Sequence, residues 1–442
     1  MATRTYRADM NNSKTDKDMR VPTVSRVAGD TLVELVYDPD KRTTALAVSR
    51  FGGLWNIEQE VKVAAAEILV PYSPKNNLIA SGCVLLPSKP VDYGRKHELL
   101  ADIRTFLHRY VDLSPLFEQL AAYYVLFTWI HDAFGELPYL RFLGDYGTGK
   151  TRALMAIGSL CYKPFFASGA STVSPIFHIL DNFGGTLILD EADMPFSDAK
   201  AELVKILNNG TTKGMPVLRT IQNRHKEFSP YAFKVFGPKL MAAREPFQDR
   251  ALESRFFTEE TGTRPVREDI PVLLPPAMKE EALELRNRLL HFRFVEFFNI
   301  KTDSAALIEG VESRLNQIAQ PLLSLVDDLA LRGDIEAMLR AEYEDAQRER
   351  RDSAAGGVLA AALAVFSDST NGNAPIRDIA ERFNAEHCAD YGGPVRNQWI
   401  GYMLRTRFSV KTHKSNGNYV VPASERQKLE AIGRRYGIAS AK

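Results

Sequence analysis

The sequence predicts an α/β protein in several domains: a parallel sheet wrapped by helices mid-chain, a β-rich region before it, and helices ending in a winged helix after it. Three observations predict this. The glycine-rich octapeptide Gly144-Asp145-Tyr146-Gly147-Thr148-Gly149-Lys150-Thr151 stands between a largely apolar run at 137–143 and a segment of helical character at 152–157. An apolar run from Gly185 ends in Asp190-Glu191. Near the C-terminus, three helix-like segments precede two apolar-alternating runs that bracket Ser415-Asn416-Gly417, a strong hairpin signal.

Composition bounds the possibilities. At 442 residues, about two to four domains with ample core are expected. Hydrophobic residues are 45% and charged residues 25%, ordinary for a globular chain. A net charge of +1 excludes a polycation, so any nucleic-acid surface must be a local patch. Cys83, Cys161 and Cys388 lie far apart and suggest small buried hydrophobes, with neither a disulfide framework nor a zinc site. Residues 1–20 mix Arg4, Arg7, Lys14 and Lys17 with Asp9, Asp16 and Asp18, which reads as a disordered tail and not a transit peptide. The most apolar stretch, 121–130, is flanked by Glu118 and Asp132 and is too short to span a bilayer. A cytoplasmic protein with no membrane partner is expected.

Residues 1–95 read as a β-rich accessory domain. Strands are expected at 31–37 and 44–48, on either side of Asp38-Pro39-Asp40, with another at 77–86. No catalytic motif occurs there. Residues 96–136 form a helical connector, with Leu99, Leu100, Ile103 and Leu107 at helical spacing and Pro115 starting a second helix.

The core spans 137–260. The octapeptide fits G-x-x-x-x-G-K-[ST], the phosphate-binding loop. Its glycines let backbone N–H groups close around phosphate oxygens, and the helix that follows presents its positive dipole end. Lys150 would reach the β/γ-phosphates, and Thr151 would hold Mg²⁺. Asp190, roughly forty residues on, would share that metal, and Glu191 would polarise the attacking water. A helix at 201–207 follows, and then two β-like runs flank Arg224-His225-Lys226. That is a hairpin with a basic tip, or, on the blander reading, a solvated surface turn. A strand at 239–243 leads to Arg244, a short helix at 249–255 to a last strand at 256–258.

Residues 261–352 read as a helical lid, with helices at 279–298, 311–325 and 334–351. Ser353-Ala354-Ala355-Gly356-Gly357 reads as a linker into a winged-helix DNA-binding domain at 353–422. Its helices are expected at 358–366, 376–387 and 394–405. The third would bury Trp399, Ile400, Met403 and Leu404 and turn Arg396, Asn397 and Gln398 to DNA, while Lys411, His413 and Lys414 sit on the wing. Binding of a protein partner through the same basic face is the alternative. Residues 423–442 read as a C-terminal tail.

GDYGTGKT, LILDEAD, the basic hairpin, FGPKLMAAR and DRALESR, in that order, resemble AAA+ replicative helicases of mobile elements, plasmids and phages. The nearest are the self-loading helicases related to the superfamily 3 and MCM-like groups. The resemblance covers roughly 137–325. It implies an AAA+ P-loop NTPase core with a helical lid, using ATP and Mg²⁺, in a ring that would be a homo-hexamer on single- and double-stranded DNA. It implies sensor 1 at Arg244, where the family usually has Asn, an arginine finger at Arg255 with Arg250 second, and sensor 2 at Arg314. The function implied is an ATP-dependent ring-forming DNA helicase in replication of a mobile element, plasmid or phage. The alternatives are an origin-binding initiator or loader that does not unwind, and a nucleotide-regulated DNA-binding regulator. Glu191 argues against the regulator, because a pure binding module has no use for a water-activating base.

Overall fold

The computed structural model describes residues 19–438 apart from 51, 65–66, 170, 191–197, 223–227, 301–306, 370–371 and 416. The chain divides into two units, Met1–Ile308 with Ser313–Ile335, and Glu309–Glu312 with Glu336–Lys442. The expected N-terminal tail at 1–18, Glu191 and the hairpin tip at 223–227 lie outside the described residues.

The first unit begins with β1 (Met19–Thr23), β2 (Ser25–Ala28), β3 (Thr31–Asp38), β4 (Thr43–Arg50), β5 (Trp55–Glu58), β6 (Val61–Ala64) and β7 (Glu67–Pro71). Strands β2 to β5 pair in sequence order as a four-stranded sheet, and β1-β7-β6 form another. The runs predicted at 31–37 and 44–48 are β3 and β4, paired from Thr31↔Arg50 to Asp38↔Thr43. The strand predicted at 77–86 is not formed. Asn76 instead caps a short helix, α1 (Asn77–Ala80), by accepting from the Leu78 N–H, and Gly82 leaves it at φ 69°. Only Val84 keeps a β-bridge, to Phe165.

Two helices follow, α2 (Lys96–Tyr110) and α3 (Pro115–Ile130). Ser114 caps α3 and Pro115 takes its first position, where a missing N–H costs nothing. From Leu120 to Ile130 every residue of α3 is buried, as an all-round apolar helix requires. Among the described residues no helix is long and apolar enough to cross a membrane.

The centre consists of β8 (Tyr139–Leu143), α4 (Lys150–Gly158), β9 (Phe165–Ser168), α5 (Val173–Phe183), β10 (Leu187–Asp190), α6 (Asp198–Asn209), β11 (Val217–Gln222), β12 (Phe228–Phe233), β13 (Lys239–Ala243), α7 (Arg250–Glu253) and β14 (Phe256–Glu260). A five-stranded sheet runs β14-β8-β13-β10-β9 with every pairing parallel. With helices on its faces, its strands read as continuous apolar runs. Strand, glycine loop and helix within this parallel sheet make the fold P-loop NTPase-like. Helices α8 (Ala277–Glu296), α9 (Ser313–Leu323) and α10 (Leu329–Asp352) come next.

A buried charge cluster joins β3 to the centre of this unit. Glu34 accepts from Arg293 Nε and Tyr162 Oη, each at 2.8 Å, and pairs with Lys163 at 2.9 Å. Arg293 also donates to both carboxylate oxygens of Asp132 and to the Trp129 carbonyl. Burial alone would raise the Glu34 carboxyl, but Lys163 and Arg293 hold it below its usual value.

The second unit holds α11 (Ala354–Asp368), β15 (Ala374–Pro375), α12 (Ile376–His387), α13 (Asn397–Arg407), β16 (His413–Ser415), β17 (Asn418–Val421) and α14 (Arg426–Arg435). Val358, Leu359, Ile379, Phe383, Ile400, Leu404 and Leu429 share its core, and β15-β17-β16 form a small sheet. Residues 353–357, expected as a linker, open α11. Ser353 accepts from the Gly356 N–H, and both glycines are buried. A Cβ on Gly356 would stand 2.1 Å from the Arg351 carbonyl oxygen, and one on Gly357 2.9 Å from the Phe383 and His387 rings. These glycines serve close packing, not flexibility. The expected tail at 423–442 carries α14, whose Leu429 is fully buried.

Candidate nucleotide and nucleic-acid sites

The octapeptide leaves the carboxyl end of β8. The Gly144 N–H donates to the Ala243 carbonyl at 3.2 Å, and a Cβ there would stand 2.5 Å from the Thr261 carbonyl oxygen. Gly147 and Gly149 adopt φ of 76° and 89°, the left-handed region that favours glycine. Gly149 is the N-cap of α4 and offers no side chain to it, so the first N–H groups of the helix lack a side-chain cap. Lys150 Nζ folds onto its own loop, donating to the carbonyls of Gly144 (2.6 Å) and Asp145 (2.5 Å). Asp145 also takes the Thr148 hydroxyl on its carbonyl and the Tyr146 N–H on its carboxylate.

Sheet topology gathers the remaining groups. Strand β13 lies between β8 and β10, with Ala243 paired to Leu143 and Met241 to Leu189. Arg244, exposed, therefore emerges between the phosphate loop and the end of β10. Thr151 Oγ1 donates to Asp190 Oδ2 at 2.7 Å. A hydroxyl and a carboxylate in contact beside an uncapped helix N-terminus fit a hard cation and an anionic phosphate. Carboxyl ends of parallel strands are also where α/β sheets bind ligands. A cavity of about 290 Å³ opens beside Gly147, Thr148 and Gly149.

The predicted arginines divide. Arg255, buried, precedes β14, the neighbour of β8, at the end of the sheet opposite the loop. Its guanidinium donates into its own chain, to Thr211 Oγ1 at 3.3 Å and to the carbonyls of Asn208 and Ala251. Burial, with the nearby Arg314 charge, lowers its pKa. Arg250 and Arg314 are exposed. Lys239, which the motifs do not single out, is fully buried at the amino end of β13. It donates to the carbonyls of Val235 and Gly237, and burial pulls it down to about 7. Nothing in the local sequence marks it.

Strands β11 and β12 pair from Val217↔Phe233 to Gln222↔Phe228. One face of this hairpin is fixed to α5. Phe233 packs on Phe177 with centroids 5.4 Å apart, Arg219 lies 4.7 Å over Phe177, and Tyr231 Oη donates to Asp181 at 2.7 Å. Leu218 and Phe228 on the other face are exposed.

In the second unit, Arg396, Asn397, Gln398, Lys411, His413 and Lys414 are all exposed. Ile400 and Leu404 are buried, while Trp399 and Met403 are half-buried, Trp399 beside Phe383 and Tyr391. Sequence reasoning missed Tyr402, Arg405 and Tyr419, also exposed, with Arg405 donating to Thr412 Oγ1 at 3.3 Å. One signal could have found Arg405. Between Asp390 and Glu425 no acidic residue occurs, while Arg396, Arg405, Arg407, Lys411 and Lys414 do.

No family model matches the chain, and no curated protein matches it. Among solved structures the chain is similar to the C-terminal region of NrS-1, with 14% identity and a TM-score of 0.38, covering 88% of this chain and 95% of that one. It is similar to the SCCmec type IV Cch active helicase, with 13% identity and a TM-score of 0.35 over 92% and 96% of the two chains. It is also similar to JCV helicase, with 13% identity and a TM-score of 0.22 over 56% and 65%.

Proposed function

We propose that the chain is an ATP-dependent, ring-forming DNA helicase acting in replication of a mobile element, plasmid or phage. The observation that carries this reading is the hairpin's attachment to α5. That helix leads through residues 184–186 into β10, whose last residue is Asp190, so one continuous segment links the hairpin to the nucleotide site. Lys150 would hold the β/γ-phosphates, with Thr151 and Asp190 as ligands for Mg²⁺, which when bound neutralises phosphate charge. Glu191 would orient and deprotonate water, Arg244 would face the γ-phosphate, and Arg314 would approach from the lid. A finger from a neighbouring subunit would be Arg250, exposed, or Arg255, which must first leave its own carbonyls. Arg224 and Lys226 would grip phosphates, which carry no sequence information, as a translocating motor requires. Residues 353–422 would act as a winged helix on duplex DNA, and a homo-hexamer would enclose the strand.

One observation favours a second reading, an initiator or loader that binds origin DNA without unwinding. The second unit carries a segment from 391 to 424 with five Lys and Arg and no acidic residue, which would suit binding of duplex DNA by itself. Strand displacement on forked DNA, with and without ATP, separates the two. We expect the parent to displace the annealed strand, and the double variant Arg224→Ala, Lys226→Ala to lose displacement and single-strand stimulation while keeping basal ATPase. Its single-strand binding should also lose about one unit of salt slope per contact. A double variant that unwinds as well as the parent makes the tip a solvated turn and favours the initiator.

A further inference from the structure

Arg152 follows the phosphate-loop motif and lines the cavity beside Gly147–Gly149. Its Nη2 donates to the Val272 carbonyl at 2.6 Å, and its Nη1 donates to the Pro271 carbonyl, with a longer contact of 3.5 Å to the Tyr110 carbonyl. These carbonyls belong to the two walls of the cavity of about 290 Å³ beside Gly147–Gly149. One wall is Val111 and Asp112, which follow α2 directly after Tyr110, and the other is the segment that follows β14. Ion pairs from Arg264 (2.9 Å) and Arg267 (3.5 Å) to Asp112 hold the same walls together. Val111, Ile270 and Val272 give the cavity apolar surface, and Asp112, Glu259 and Glu260 bring carboxylates to it, a mixture that suits a flat heterocycle carrying a sugar whose hydroxyls can donate. Val272 is 90% exposed, an apolar side chain left at the cavity's edge. With both terminal nitrogens committed to carbonyls, Arg152 is placed as a staple and not as a phosphate ligand.

We propose that Arg152 is a positioning residue. It fastens both walls of a nucleoside subsite to the first turn of α4, so that base and ribose are held in fixed register with the phosphates. The proposal rests on reading the loop as a triphosphate site. The subsite takes the nucleoside part of a nucleoside triphosphate, and the loop takes the phosphates.

Titration calorimetry of the full chain with ATP and with inorganic tripolyphosphate tests both layers. Arg152→Ala should weaken ATP about tenfold or more, the loss expected for charged hydrogen bonds, and leave tripolyphosphate within about twofold. KM for ATP should rise by a similar factor with kcat little changed, and Arg152→Lys should restore only part of the affinity. Equal weakening of both ligands, or no change in either, overturns the staple. Lys150→Ala should abolish tripolyphosphate binding, and unchanged binding there would sink the phosphate-loop reading itself. Should Arg152→Ala fail to fold, Val272→Trp on the exposed wall supplies an independent readout. Its fluorescence should respond to ATP but not to tripolyphosphate, and an identical response to both overturns the subsite.

Discussion

Two charge clusters in the first unit are built in opposite ways. Lys150, Thr151 and Asp190 sit partly open to solvent at strand ends, and Lys150 is bonded to carbonyls of its own loop. Glu34, Lys163 and Arg293 are buried to within 1% and bonded to one another across three distant parts of the sequence. Near water a charge can exchange partners at little cost, because solvent and ligand replace what is lost. Inside the protein the same exchange would strand an uncompensated ion. The first cluster is suited to turnover, and the second to holding β3 against α8.

The largest expected effect tests the first cluster. Glu191→Gln should retain ATP binding and lose about 10²- to 10⁴-fold in turnover, the range for a general base. Lys150→Ala should lose binding, and both variants should keep the parental melting temperature. A Glu191→Gln protein that hydrolyses ATP at the parental rate would remove the catalytic assignment. The second cluster should answer in stability instead. Arg293→Met leaves buried Glu34 with Lys163 as its one cation among the described residues and takes the guanidinium from half-buried Asp132, which should cost about 3–5 kcal/mol in urea unfolding. A loss below about 1 kcal/mol would make the cluster a bystander.

A smaller effect separates the clusters by pH. Burial lowers His131, beside the second cluster, from 6.5 to about 4. Its folded-state pKa is depressed, so the unfolded chain binds the proton first. Stability is full above about 6.5 and is lost as pH falls towards about 4, by up to about 3 kcal/mol. Glu34, also depressed, adds to the loss at still lower pH. His131→Asn should flatten the curve of unfolding free energy between pH 6.5 and 4, while Lys150→Ala should leave it unchanged. The same slope in His131→Asn and parent would assign the acid loss elsewhere.

What was legible in the sequence follows the range of the interactions. The phosphate loop, the β10 strand end, the hairpin arms, α2 to α4 and α6 to α8 are legible because glycine spacing, capping and periodicity act within a few residues. Orientation was not. Whether Arg255 points outwards depends on Thr211 and Asn208, more than forty positions earlier. The 353–357 segment was misread because Gly-Gly signals flexibility locally, whereas Phe383 and His387 decide its packing from afar. The strand expected at 77–86 failed for the reverse reason: the Asn76 cap, a local signal, outweighed an apolar run. Helix α14 was read as a tail because little besides Leu429 and Ile432 marks its apolar face in a charged stretch.

Strand β13 has a mechanical consequence. It starts at Lys239, whose ammonium grips Val235 and Gly237 at the root of the hairpin, and it stops one residue short of Arg244 beside the phosphate loop. An extended strand is close to its contour limit, about 3.4 Å per residue, and cannot stretch to absorb a pull. The five residues of β13, clamped laterally by β8 and β10, therefore work as a tie-rod about 17 Å long. On the proposed function, load taken up by the hairpin would reach the Arg244 end of the sheet as displacement and not be dissipated as slack, and strain released there would travel back along the same rod.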